Sequence, residues 1–338
     1  MVTAPGRTAI GEIPIPVPGP YDALCRTQFA GICAGTDTHV IDGVFGPRSY
    51  PLVLGHESIG RVVDVGSRVS SFRVGDLITR VGVPSRPDGL FDVAWGGVAE
   101  FGIARDAKAL EHDGHPEAEW RAACVNRVIT SGLSPVYTPM YITWRETLSY
   151  TSRLGIAARD HVVVAGSGAN GLSIAAMALL LGAGRVTVIG SPSRKEAADL
   201  IGVSRLIPYR DEAAVQEFVA EAAGTVSLIV DAVGISHSLD RLLPLLRRDG
   251  VIGVYGLDDL DSYAVNPRRA QSFRYLDPGY DEGEAHEAIE GFIRKGGLNA
   301  RAWIDPDRTF TWQNIDAAYA AARDRSLIKP VIDVTRGA

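Results

Sequence analysis

Cysteine is scarce in this chain, with Cys25, Cys33 and Cys124 the three among 338 residues. Three thiols cannot build a dense disulfide framework, and one always remains unpaired, so a disulfide-stapled secreted scaffold is excluded and a reducing cytoplasm is expected. Long apolar runs are missing too. The richest, Ile174 to Leu181, falls well short of the ~18 residues that a membrane-spanning helix needs. The opening stretch Met1 to Gly6 has no apolar segment and is followed by Arg7, which predicts no secretion signal. Nor does one sign of charge dominate. With 34 Lys and Arg against 40 Asp and Glu the net charge is -6, leaving no electrostatic footprint for a nucleic-acid backbone. Internal repeats and low-complexity tracts are absent from the sequence.

What is present is ordinary for a folded protein. A hydrophobic fraction of 46% and a charged fraction of 22% exclude disorder and supercharged tails. A chain of this length favours two domains over one core. From Ala9 to about Glu100 short β-rich runs broken by Gly, Pro and Asp, among them Ala23 to Thr27, Ile59 to Val65 and Leu77 to Val81, predict a small antiparallel barrel. Between Arg86 and Asn126 the periodicity is poor, and turn chemistry at Pro87-Asp88-Gly89 predicts loops and a lobe. A helix is expected from Thr138, as its cap, through Leu154, with Pro139 in the first position. After Asp160 the texture becomes alternating strand and helix: Val162 to Val164, Leu172 to Leu181, Val186 to Ile189, Leu228 to Val230, Val251 to Tyr255. Continuous apolar strands between helical spans mean a parallel sheet covered on both faces. Glu284 to Lys295 reads as a helix stopped by Gly296-Gly297, and Lys329 to Val334 as a last strand.

The strand Val162-Val163-Val164 runs into Gly166-Ser167-Gly168-Ala169-Asn170-Gly171 and then an apolar helix. G-x-G-x-x-G in that strand–turn–helix setting points to a dinucleotide: Gly166 permits the turn, Gly168 admits the pyrophosphate and Gly171 allows close helix packing. At the end of the second strand, where an acid would hold both adenosine ribose hydroxyls, the chain has Gly190-Ser191 followed by Arg194-Lys195. Without a carboxylate to repel a 2′-phosphate, and with Ser191, Arg194 and Lys195 able to bind one, NADP(H) is favoured over NAD. The alternative is that Arg194 and Lys195 simply open the next helix as solvated charges.

Two upstream stretches, Gly31-Ile32-Cys33-Ala34-Gly35-Thr36-Asp37-Thr38-His39 and Gly55-His56-Glu57-Ser58-Ile59-Gly60, bring together a thiol, imidazoles and carboxylates. These are ligands that Zn²⁺ accepts, and three with an open fourth position make a catalytic site. Each residue alone would be unremarkable core or surface. Here the sequence resembles the medium-chain dehydrogenase/reductase family, in its zinc-dependent alcohol, polyol and sugar dehydrogenase group. The likeness runs through Gly55-His56-Glu57, Gly60, Val62, Gly66, Val74-Gly75-Asp76, Gly96 to Phe101, the Gly-rich turn and Asp231-Ala232-Val233-Gly234. It implies an α/β protein with a GroES-like β-rich catalytic domain made from both ends of the chain (1–137 and 279–338), around a doubly wound Rossmann domain (138–278). It also implies that Cys33, His56 and Glu57 ligate one catalytic zinc, that Asp37 orients the ligand histidine, and that Thr36 and His39 relay a proton. The cofactor set becomes Gly166, Gly168, Ala169, Asn170, Gly171, Gly190, Ser191, Arg194, Lys195 and Val233. A homodimer or homotetramer follows by resemblance, with a small polyhydroxylated alcohol as substrate.

Three departures from the family pattern are visible. Ala34 stands between Cys33 and Gly35 where the family usually reads Cys-Gly-Thr-Asp, so an extra residue must bulge for Cys33 to reach a metal. Thr138 replaces the Glu that precedes the linking-helix Pro in polyol enzymes. The four-cysteine lobe for a structural zinc is absent, since Cys124 is the one cysteine between Arg86 and Tyr137. Two other readings remain open: a zinc-free quinone or enoyl reductase of the same fold, and a decayed NADP(H)-binding protein.

Overall fold

The computed structural model describes residues 1–45, 49–85 and 88–336, so Arg86 and Pro87 of the expected turn lie outside the described residues. The chain forms two compact units: Met1–Arg145 with Glu282–Arg294 and Trp303–Ala338, and Glu146–Asp281 with Lys295–Ala302.

The first unit carries β1 (Val2–Ala4), β2 (Arg7–Thr8), β3 (Asp22–Gly31), β4 (Leu52–Val53), β5 (Glu57–Val65), β6 (Leu77–Thr79), β7 (Asp92–Val93) and β8 (Phe101–Arg105). Along β3 the residues Ala23, Cys25 and Thr27 are buried in period two, as a strand with one face on a core requires. Register shifts at Leu24/Cys25 and Thr27/Phe29 bend this strand against β5. One core gathers Ala23, Cys25, Val62, Phe72, Ile78, Val81 and Ala104. Another gathers Ile32, Leu54, Val40 and Val98, and it fixes the chain just before Cys33 and close before His56.

The second unit holds β9 (His161–Ala165), β10 (Arg185–Gly190), β11 (Arg205–Pro208), β12 (Val226–Asp231), β13 (Leu246–Val254) and β14 (Phe273–Leu276). All adjacent pairs are parallel, in the order β11-β10-β9-β12-β13-β14. Val163, Ile229 and Ile252 pack into one cluster, while Val162, Val164, Leu228 and Val230 pack into another. Burial on both faces is why these strands read as unbroken apolar runs. Strand order reverses between β9 and β12, the point where ligands of doubly wound sheets bind. The chain then returns, and β15 (Val331–Asp333) pairs antiparallel with β3 of the first unit.

Two expectations need correction. The stretch read as loops contains β8 and two short helices, Ala107–His112 and Glu117–Ala123, too brief for a helical period to show. Thr138 does not cap by accepting a helix N–H: its hydroxyl donates to the Pro135 carbonyl at 2.6 Å, and the helix runs over Met140–Ser152. Among the described residues no helix is long and apolar enough to cross a membrane.

Candidate active site

Cys33 follows β3, and His56 immediately precedes β5, whose first residue is Glu57. Gly31 and Glu57 are register partners, so strand pairing alone carries these three residues to one place. Their ligand atoms, a sulfur, a ring nitrogen and a carboxylate oxygen, all lie within 4.8 Å of one another, and all three residues are buried. The Ala34 side chain is exposed in the turn before the helix Thr36–Ile41, while Cys33 is buried. The extra residue is therefore absorbed in the turn after Cys33.

Asp37 stands behind this group. One carboxylate oxygen accepts from the Cys33 backbone N–H at 2.9 Å, and the other lies 3.5 Å from His56 Nδ1. That leaves Nε2 facing Glu57, 3.9 Å from its Oε1. Burial alone would lower the pKa of His56, yet hydrogen bonding and charge from Asp37 and Cys33 outweigh it and hold the pKa well above the ordinary value. Surroundings that favour a cation on the imidazole favour a metal cation beside it. The sulfur, nitrogen and oxygen donor set, gathered within 4.8 Å, suits zinc. The residues fit the metal.

Sequence reasoning missed what holds Glu57. Lys329 Nζ lies 2.6 and 2.5 Å from its two oxygens, and the Thr143 hydroxyl donates to Oε1 at 2.9 Å. Burial raises the Glu57 carboxyl, but the Lys329 ammonium outweighs it and the pKa ends below its ordinary value. The one available signal was a lysine at the first position of the expected last strand, which reads as an ordinary strand end; the strand itself runs over Val331–Asp333. Thr36 opens the helix Thr36–Ile41, and His39, one turn on, places its ring 5.2 Å from Phe45 with a buried Nδ1 that lacks a partner. Trp95 was also missed. In a left-handed conformation (φ 64°), it sets its ring 5.1 Å from that of His56 and lines a cavity of about 410 Å³ with Val83, Ser85, Val93 and Ala94.

In the second unit the Gly-rich turn follows β9, and Gly168 caps the helix Ala169–Leu180, which contains Asn170 and Gly171. A Cβ on Gly171 would strike the Gly166 carbonyl oxygen, and one on Gly166 would meet Val233 Cγ2 at 3.0 Å. The turn, Val233 and the helix start thus come together at the strand-order reversal. Ser167 Oγ accepts from the Ser191 N–H at 2.8 Å, tying the turn to the end of β10. A Cβ on Gly190 would collide with Ser167 Cβ and Oγ, which gives this glycine a steric reason beyond the missing carboxylate. Lys195 Nζ pairs with Asp199, 2.5 Å away on the same helix. Tyr209 and Arg210 were not singled out from sequence. The Tyr209 N–H donates to the Gly190 carbonyl at 3.0 Å, and the Arg210 guanidinium lies 5.2 Å from the Tyr209 ring, placing a further cation at this strand end.

Comparison with known proteins agrees with both halves. The profile described as "Alcohol dehydrogenase GroES-like domain" matches residues 19–111, and "Zinc-binding dehydrogenase" matches residues 170–274. Cinnamyl alcohol dehydrogenase 1 of Ocimum basilicum is 30% identical over 74% of this chain and 71% of its own length. The chain belongs to the medium-chain dehydrogenase/reductase family. Other relatives in the family include L-galactonate-5-dehydrogenase of Escherichia coli strain K12, 25% identical over 93% of this chain and 90% of that protein. NADP-dependent isopropanol dehydrogenase of Thermoanaerobacter brockii is 28% identical over 94% of each chain. The family fold is shared with a solved cinnamyl alcohol dehydrogenase from Sorghum bicolor, at TM-score 0.77 and 22% identity over 98% of this chain and 96% of that one.

Proposed function

We propose that this chain is a zinc-dependent alcohol dehydrogenase that exchanges a hydride between NADP(H) and a secondary alcohol or its ketone. The observation that carries this reading is the buried convergence of Cys33, His56 and Glu57 with Asp37 behind the imidazole. Bound zinc supplies a Lewis acid for the substrate oxygen, and the nicotinamide supplies the hydride acceptor or donor. Cys33 and His56 would hold the metal directly, and Glu57, anchored by Lys329, would complete the protein's donor set. Thr36 takes the substrate hydroxyl proton, and His39 exchanges it onward with solvent. Gly166, Gly168, Ala169, Asn170 and Gly171 receive the pyrophosphate, Val233 lies at the same crevice, and Ser191 with Arg194 meets the 2′-phosphate.

The substrate we infer is polyhydroxylated: a sugar acid, polyol or cyclitol. Support comes from the Glu57-containing motif and from the likeness to L-galactonate-5-dehydrogenase along nearly the whole chain. A second reading, an aryl or other bulky apolar alcohol, is favoured by the Trp95 ring, which stands 5.1 Å from that of His56. Purified protein should contain about one zinc per chain. Cys33→Ala should lose that zinc and alcohol oxidation together while keeping its NADP affinity. Retained turnover in the variant defeats the catalytic-zinc reading. A panel of polyols, sugar acids, aryl alcohols and enones, followed by NADPH absorbance, separates the two substrate classes and tests for zinc-free enone reduction.

A further inference from the structure

His56 lies one residue before β5, and a side chain meets its carbonyl oxygen. Arg80, the residue after β6, donates from Nη1 to the His56 carbonyl at 2.8 Å, and its own backbone N–H donates to the Ser58 carbonyl at 2.7 Å. A single residue therefore grips the His56–Ser58 segment at both ends, with Glu57 between. Arg80 adopts a left-handed backbone (φ 63°), a conformation that costs a residue with a side chain on the order of 1 kcal/mol or more. Asn126 supports it, donating from Nδ2 to the Thr79 and Arg80 carbonyls at 3.1 and 3.0 Å. The guanidinium is set in turn by Glu282, whose Oε2 lies 3.0 Å from Arg80 Nη2. Glu282 also pairs with Arg145, and both are almost wholly buried. Two arginines share one carboxylate, and Nη1 of one of them reaches the backbone of His56.

We propose that Arg80 is a positioning residue for the metal site, fixing the His56–Glu57 dipeptide, with the Glu282–Arg145 pair setting the Arg80 guanidinium. This inference rests on the reading of Cys33, His56 and Glu57 as zinc ligands. Its physical basis is that a thiolate and an imidazole from separate strand ends must be held to a fraction of an ångström to share one ion. Asp37 fixes the ring of His56, and Arg80 fixes the backbone from which that ring projects. Arginine suits the task because its planar fork serves a carbonyl and a carboxylate at once, which the single ammonium of lysine does not.

The test measures metal binding in wild type, Cys33→Ser, Arg80→Met and Arg80→Lys, by chelator competition for zinc and by the absorption spectrum of the cobalt(II) form. Metal-free unfolding is recorded alongside. Arg80→Met should bind zinc about 10–100-fold more weakly, the range seen when a group supporting a metal ligand is removed, with shifted cobalt d–d bands. Arg80→Lys should fall between it and wild type, and it decides the matter if Arg80→Met does not fold. Wild-type zinc affinity and an unaltered cobalt spectrum in the folded arginine variants overturn the proposal. So does a loss of metal-free stability accompanied by no loss of zinc affinity. If instead wild type takes up no cobalt, or Cys33→Ser keeps the thiolate charge-transfer band, the ligand assignment itself falls.

Discussion

Lys329 and Glu57 show how much can hang on a residue that sequence leaves unmarked. Each is 1% exposed at the side chain and the ammonium touches both carboxylate oxygens, so removing one partner strands a charge where water cannot reach it. Lys329→Met should therefore destabilise the metal-free protein by about 3–5 kcal/mol in denaturant titration. A cost below about 1 kcal/mol would mean that water reaches the pair. Gly190 teaches the opposite lesson, since sequence marked it for the right strand end but supplied only the electrostatic half of the reason. Because a Cβ there meets Ser167, Gly190→Asp should lose NADP binding without gaining NAD. Adding Ser167→Gly removes both clashing atoms and should let the new carboxylate accept from NAD's ribose hydroxyls. Cofactor titrations of the single and double variants read this directly, and NAD binding by the single variant contradicts the steric account.

At the level of elements, period and flanking residues made the strands of the second unit legible. Val162 to Val164, Val186 to Ile189 and Leu228 to Val230 all fall inside β9, β10 and β12. The short helices after β8 were not legible, because six and seven residues complete too few turns to show an apolar face. Their best signal was Asp106. Its carboxylate accepts from Ala109 N–H at 3.1 Å, capping Ala107–His112, and from the Ser70 and Ser71 N–H groups at 2.7 Å each. Burial pushes its pKa up, but these N–H donors outweigh it and the folded value is depressed. The stability so gained is present above the unfolded-state value of about 3.9 and is lost as pH falls through the lower folded value. Asp106→Ala should accordingly cost about 1–2 kcal/mol near neutral pH, and the gap to wild type should narrow in acid. A difference that stays constant from pH 7 into strong acid would exclude the charge as its source.

For the whole molecule, the order of motifs along the chain sufficed to place a metal-competent region first and a dinucleotide region second. What sequence could not supply was the support behind the metal-competent region, because Lys329, Glu282 and Asn126 reach it only through tertiary pairing. The two units should answer to different ligands in calorimetry. NADP at 100 times its Kd should stabilise the unit containing Gly166 by about 2.7 kcal/mol, whereas a zinc chelator should lower the transition of the unit containing Cys33. If both agents move a single shared transition, the units unfold as one.

The pairing of β15 with β3 has a consequence for how the protein is made. Lys329 lies 272 positions beyond Glu57, and the strand that follows it closes onto a strand translated long before. At roughly 10 residues per second on the ribosome, the Glu57 carboxylate waits on the order of half a minute for its ammonium. The dinucleotide unit leaves the ribosome almost whole during that interval and can fold first. A nascent chain stalled before Lys329 should therefore bind cofactor while the Glu57 carboxylate still lacks its ammonium.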